Sequence, residues 1–365
     1  MKKRKATGSG NESKRRDTSL DAVKGFAIVL VMLGHCVVKN NMVDAARDPY
    51  VYDVIKAIEM PLFIMISGYL AGLSPKKASL KEAVYTIQRR AVSYLVPFFV
   101  WLLLGDFISG HFAPLLALKN VLFHLDWGLW FLMTLFLITV LVLLAESFPR
   151  AWQSAVFLLA AYIFFFLQSR TGNTFLSPHL TVRYMPYYMA GFLVSRYLLP
   201  MKASGNKWVV FFTGKKVLWG AWAISLCGFL WLIVGYDMVT VHSTQELLAQ
   251  MTASLLGGYV CFFGIYQFYE SRKLPENYAG TVQLSKQPFL AQIGLYTLEI
   301  YVLHFRFVTM LGFYEKGYSL YSWKGIGAVF ASFLVMSVLT WLIIVIVKKV
   351  PLLNFLLFGK SRPRR

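Results

Sequence analysis

Ten apolar stretches, each close to the length of a membrane-spanning helix, follow one another along this 365-residue chain. A helix crossing a bilayer needs about 20 apolar residues, because each residue rises about 1.5 Å and the hydrocarbon core is about 30 Å thick. The stretches fall at roughly 20–38, 53–73, 92–109, 127–146, 152–168, 183–200, 216–236, 247–270, 287–312 and 325–348. Inside hydrocarbon every backbone amide and carbonyl has to be satisfied within the segment, so such repetition dictates a helical bundle. The predicted fold class is all-α: a polytopic integral membrane protein with about ten transmembrane helices. A further apolar segment, 111–124, is short and carries Pro114, which predicts a re-entrant or interfacial piece.

Charge placement supports this reading. Only 15% of the residues are charged, against roughly 25% in soluble domains. The formal net charge of +20 raises the possibility of a nucleic-acid partner. Position argues against nucleic acid, because the bases sit in short runs between apolar stretches, as in loops facing an anionic leaflet. One set of loop ends holds Lys76, Lys77, Arg89, Arg90, Arg150, Arg196, Lys202, Arg272, Lys348 and Lys349, together with the basic segments 1–16 and 360–365. The opposite loops are poorer in base: Lys39 and Arg47 are offset by Asp44, Asp48 and Asp53, and 237–246 carries neither Lys nor Arg. This alternation predicts that both termini are cytoplasmic and that the protein sits in the inner membrane. Residues 1–17 read as a disordered basic tail, 18–350 as one membrane domain and 351–365 as a second basic tail. No removable signal peptide is read at the start. Cys36, Cys227 and Cys261 are widely spaced within apolar stretches, which gives neither a disulfide framework nor a zinc pattern, so no metal is expected and each reads as a buried thiol.

Ionisable groups inside a span are costly and usually face the protein interior. They are His35 in the first span, Glu59 in the second, and Glu299, His304 and Arg306 in the ninth, with Asp21, Lys24 and Arg183 at helix ends. Lys24 and His35 lie eleven residues apart, which places them on one helix face roughly 16 Å apart along the axis. With a cytoplasmic start, His35 falls in the outer half of the bilayer. Glu59 in the inward-running second helix and His304 in the outward-running ninth reach a similar depth. Two imidazoles and a carboxylate from three helices therefore meet at one level, as a general base with an orienting partner would require. A packing histidine held by a hydrogen bond is the plain alternative for His35. Pro61 frees a backbone carbonyl in the second helix, and Ser67-Gly68 reads as a notch for close helix contact. Adjacent Arg89 and Arg90 suit phosphate groups, though they would equally serve as positive-inside anchors.

The segments DAVKGFAIVLVMLGH, MPLFIMISGY, RRAVSYLVPFF, LWFLMTLF, RYMPYYMAGF and IGLYTLEIYVLH resemble, in order, signature segments of the membrane-bound acyltransferase family 3. The subgroup most resembled is that of the fucose 4-O-acetylase-like enzymes, and the likeness runs over about residues 18–350. The family motif of a basic residue, a ten-residue gap and a histidine falls on Lys24 and His35; its arginine motif falls on Arg89 and Arg90. The resemblance implies acetyl-CoA or another acyl-CoA as co-substrate on the cytoplasmic side. It also implies O-acylation of a glycan or lipid-linked sugar outside. Catalytic roles then fall to His35, Glu59 and His304, and donor binding to Lys24, Arg89 and Arg90, with the pantetheine arm running along the first helix. Many relatives carry His where this chain has Glu59. A glycan exporter of the same membrane fold is the main alternative, since intramembrane charge also suits a transport pathway. The sequence offers no inverted halves and no paired broken helices for one.

Overall fold

The computed structural model describes residues 17–40, 50–77, 79–108, 110, 113–125, 129–149, 152–153, 159, 162–163, 175–271, 288–313 and 316–360. Those residues form helices and no strand. They comprise α1 (Thr18–Lys39), α2 (Tyr50–Leu73), α3 (Leu80–Ile108), α4 (Pro114–Phe123), α5 (Trp130–Glu146) and α6 (Pro178–Leu193). α6 continues through a π-helical turn, Val194–Leu198, into α7 (Leu199–Ala203). Then come α8 (Lys207–Phe212), α9 (Lys215–Gly235), α10 (Thr244–Glu270), α11 (Phe289–Gly294), α12 (Thr297–Leu303), a 3-10 turn at His304–Arg306, α13 (Trp323–Lys349) and α14 (Pro351–Phe358). Six of them, α1, α2, α3, α9, α10 and α13, are long and apolar enough to cross a membrane. Most of the sequence-predicted span 152–168 lies outside the described residues.

α1 and α2 form the centre. In their most apolar stretches 61% and 67% of residues are buried, against 17% for α3 and α9 and 22% for α13, whose outer faces are left to lipid. α1 packs on α2, α10 and α11, and α2 packs on α6 and α10. The N-terminus of α1 is capped by Asp17, whose carboxylate accepts from the amides of Ser19 (2.9 Å) and Leu20 (3.3 Å). The Tyr266 hydroxyl, near the end of α10, bonds the same carboxylate at 3.1 Å, so the start of α1 and the end of α10 lie together.

The α2–α6 crossing is set by small residues. A Cβ at Gly68 would come within 2.0 Å of the Tyr188 carbonyl oxygen, and one at Gly191 within 2.0 Å of that of Met65. Such backbone approach is how helices gain dispersion contact where no hydrophobic drive operates between them. The Ser67-Gly68 notch thus acts through its glycine, while the Ser67 hydroxyl returns to the Phe63 carbonyl of its own helix (2.9 Å).

Three sequence expectations change. The stretch 287–312 is not one helix: it is α11, a turn at Leu295–Tyr296, α12 and a 3-10 turn. The break follows Gly294, which packs so tightly on α1 that a Cβ there would meet the Asp21 carbonyl oxygen at 1.8 Å. The segment read as a second basic tail opens with α14, which packs on α3 and receives a hydrogen bond from Trp101 Nε1 to the Leu357 carbonyl (2.9 Å). Among the cysteines, Cys36 is buried but Cys227 is exposed on α9, facing outward.

Candidate functional site

His35 lies in the last third of α1, and His304 opens the 3-10 turn after α12. Their ring centroids are 5.2 Å apart, with planes inclined at 39°. Phe305 stands edge-on to His35 at 5.2 Å, and the Lys39 ammonium lies 4.8 Å from the Phe305 centroid. His304 is buried, with Nδ1 at 2.9 Å from the Ile300 carbonyl oxygen. A carbonyl only accepts, so Nδ1 carries the proton and the neutral ring keeps its lone pair on Nε2. That buried Nε2 has no hydrogen-bond partner among the described residues. The backbone thus fixes an imidazole with a free lone pair beside a second imidazole.

Glu59 reaches the same level from α2. Its carboxylate packs against the backbone of α1: a Cβ at Gly34 would stand 2.8 Å from Glu59 Oε2. Its ion-pair partner is Lys56, one turn earlier, at 3.3 Å. Tyr301, one turn before His304, lies 6.0 Å from that ring and 5.2 Å from Phe131 of α5. The structure brings His35 and His304 together, while Glu59 lies against Gly34, the residue before His35, and pairs with Lys56.

The other intramembrane charges act as clamps. Glu299 is fully buried and takes Lys348 (2.9 Å) and Lys360 (2.7 Å) on one carboxylate oxygen, tying the end of α13 and the residue beyond α14 to α12. Arg306 donates to the Trp101 carbonyl on α3 at 3.3 Å. Arg183 donates to Gln250 (2.7 Å), which in turn bonds the carbonyls of Asp237 and Thr240 in the α9–α10 loop.

Of the three predicted donor-binding residues, one reaches a cavity. Lys24 pairs with Asp21 on its own helix. Arg89 is exposed, and its carbonyl accepts from Ser93. Arg90 lines a cavity of about 150 Å³ enclosed by α2, α3, α5 and α6, where it donates to the Tyr94 hydroxyl at 3.2 Å. α1 contributes nothing to its walls, so the cavity does not follow the route along α1 expected from the sequence. Lys77, Arg196 and Glu146 join Arg90 there, with Ser67, Ser74, Thr86, Thr139 and Tyr188 also in the lining. Sequence reasoning used Arg196 only as a topological marker. A carboxylate ending the otherwise apolar α5 was the available signal for Glu146.

The cavity is separated from Glu59 and Phe131 along the helices that carry them. Glu59 to Ser67 on α2 and Phe131 to Thr139 on α5 are each eight residues, or about 12 Å. Phe63, Phe131, Leu132 and Tyr301 fill the interval and are all buried. Phe63 and Phe131 lie 5.8 Å apart edge-on, and the Tyr301 hydroxyl bonds the Phe131 backbone.

A multi-pass helical bundle with an imidazole pair towards one end and a cation-lined cavity towards the other has the parts of a membrane-embedded group-transfer enzyme. The chain belongs to the family described as the acyltransferase domain, whose model matches residues 17–345, nearly its whole length. It is similar to the nodulation protein NolL of Sinorhizobium fredii (strain NBRC 101917 / NGR234), 30% identical over 257 residues, 66% of each chain. It is also similar to the nodulation protein NolL of Mesorhizobium japonicum (strain LMG 29417 / CECT 9101 / MAFF 303099), 29% identical over 196 residues, 50% of this chain and 48% of that one. The alignments thus span just under two thirds and about half of these relatives' own lengths. No solved structure matches the chain.

Proposed function

We propose that this acyltransferase moves an acyl group, in the simplest case acetyl, from cytoplasmic acyl-CoA to a hydroxyl of a glycan or lipid-linked sugar on the far side of the inner membrane. The observation that carries the reading is the His35–His304 pair, 5.2 Å apart inside the bundle of a chain belonging to an acyltransferase family. The donor's phosphates bind at the basic end, where Arg90 lines the cavity and Arg89 lies exposed one residue earlier. At about 150 Å³ the cavity is smaller than the roughly 300–1,000 Å³ that encloses drug-sized ligands, so it takes one part of the coenzyme and leaves the rest outside. The acyl-pantetheine arm crosses the Phe63–Phe131–Tyr301 plug, which has to part to admit it.

His35 removes the proton of the acceptor hydroxyl. The oxygen attacks the thioester carbonyl, a C–O bond forms, the C–S bond breaks, and the proton passes to the departing thiolate. His304, its tautomer fixed by Ile300, offers its Nε2 lone pair to the neighbouring imidazolium; Glu59 supplies negative charge against Gly34. Lys24 contributes positive potential at the start of α1, shared with Asp21.

Ten spans with both termini cytoplasmic complete the reading. α5 ends at Glu146 and α6 runs into Arg196, and these two side chains pair, which supports a parallel course for the two helices. A parallel course requires the chain to recross between them, as the expected span 152–168 would.

The test is acyl transfer by purified protein from acyl-CoA. His35→Gln retains hydrogen bonding but cannot accept a proton near neutral pH, and turnover should fall by about 10²–10⁴-fold with donor binding intact. Near-normal turnover in His35→Gln would make the residue structural and overturn the mechanism.

A further inference from the structure

Arg196 is one of the two cavity cations, with Lys77, that the proposed donor site leaves without a task. It sits in the π-helical turn Val194–Leu198, a rare distortion frequently found at functional sites. The turn is wedged against α2: a Cβ at Gly72 would meet Ser195 Oγ at 2.0 Å. Arg196 Nη1 donates to the Ser74 carbonyl at 2.7 Å, which holds the guanidinium across the end of α2. Its other edge faces Glu146, with Nε 2.9 Å from Oε1 and Nη2 3.3 Å from Oε2.

Two features set this pair apart from an ordinary ion pair. The side chains are only 13% and 7% exposed, so each charge depends on the other. Yet the closest atoms, Arg196 Nε and Glu146 Oε1, meet without an aligned hydrogen bond, and neither has a hydrogen-bond partner among the described residues. The surroundings are also unbalanced. Arg90, Lys77 and Arg196 line the cavity against the single carboxylate of Glu146, and Lys76 lies within its field. A guanidinium edge presents two donors with the spacing of a carboxylate or a phosphate.

Resting on the donor reading above, we infer that the Arg196–Glu146 pair is an anion-exchange site, in which a phosphate group of the donor replaces the Glu146 carboxylate on Arg196. Glu146 is then a built-in competitor. It neutralises a buried guanidinium between turnovers and sets how tightly the phosphates are held. Arg90 and Lys77 supply the remaining charge, and the Ser74 carbonyl keeps Arg196 aimed throughout.

The experiment compares inorganic pyrophosphate and coenzyme A binding to the purified full-length wild type, Glu146→Gln and Arg196→Ala in lipid nanodiscs. Glu146→Gln keeps the shape but removes the competing charge, so both ligands should bind several-fold tighter. Arg196→Ala removes one charge-assisted phosphate contact and should weaken both by at least about tenfold. The double variant should fall close to Arg196→Ala, because the competitor acts chiefly through that guanidinium, with only a smaller influence on Lys76 and Lys77. Unchanged or weaker binding in Glu146→Gln, with coenzyme A bound by the wild type, overturns the exchange and leaves the donor reading standing. Pyrophosphate binding with the expected pattern but no coenzyme A binding does the reverse. If neither ligand binds the wild type, both fall. Melting curves for each variant report its folding, and Arg196→Lys, which keeps the charge but loses the two-pronged edge, should fall between wild type and Arg196→Ala.

Discussion

At the scale of single residues, Gly34 shows how little room the imidazole site leaves. The missing side chain is what lets the Glu59 carboxylate lie against α1 one residue from His35. An added methyl would meet Glu59 Oε2 at 2.8 Å and Ile55 at 3.1 Å. Gly34→Ala should therefore displace the carboxylate and lower turnover by up to about 100-fold, the scale of loss from a small misplacement in a reacting constellation. Donor affinity should be untouched, because the cavity lies about 12 Å or more away along α2. Kinetics with acyl-CoA varied at fixed acceptor check this: the effect belongs in kcat and not in the donor KM. His304→Gln provides the comparison at the other ring. Its amide can still bond Ile300 but loses the Nε2 lone pair, so a partial loss of turnover fits a supporting role. Complete loss beside an active His35→Gln variant would exchange the two assignments.

The elements show two different ways of holding helices together in lipid. α2 and α6 rely on backbone contact at Gly68 and Gly191, where there is no space for a side chain. Gly68→Val should destabilise the protein by about 1–3 kcal/mol or more, since the obstacle is a carbonyl oxygen rather than a flexible side chain. Ser67→Ala should leave assembly intact, because that hydroxyl bonds only within α2. A thermal melt in detergent distinguishes them. α14 relies on charge instead: Glu299 gathers Lys348 and Lys360 from either side of it. Both lysines are more than a third exposed along their side chains and retain access to solvent, so the pair is worth less than a fully buried one. Glu299→Gln should lower stability by about 1–3 kcal/mol and loosen α14. Faster thiol labelling of Leu357→Cys in the Glu299→Gln background would report that release; an unchanged rate would mean that Trp101 and apolar packing alone hold the helix.

For the whole molecule, the ionic contacts arrange the helix ends into two groups. Asp17 with Tyr266 gathers the start of α1 and the end of α10; Glu146, Arg196 and Ser74 gather the ends of α5, α6 and α2. Both groups lie at ends rich in Lys and Arg, in accord with the loop-charge asymmetry. Reporter fusions at residues 45, 175 and 240 should therefore read outside, and those at 80, 205 and 275 inside. A reversal between 80 and 175 that persisted to the C-terminus would mean that the recrossing after α5 does not occur.

The sequence by itself determined that the chain is an apolar bundle of helices. Bilayer thickness fixes how long an apolar helix must be, and a constant rise per residue sets the expected levels of His35 and Glu59 once the direction of each helix is known. The same arithmetic is blind to which helices face one another. Arg89 and Arg90 are equivalent as a sequence motif, yet α3 turns Arg90 into the cavity and leaves Arg89 exposed. The ninth stretch reads as a continuous helix because no proline interrupts 289–312; in the structure the break follows Gly294, where that residue packs on α1. Glu146 and Arg196 stand 50 residues apart and show no pattern in common. Their pairing arises from a π-helical turn and the packing of α2 on α6. Tertiary contact alone decides such a pairing, because burial makes each charge costly until a partner from another helix arrives.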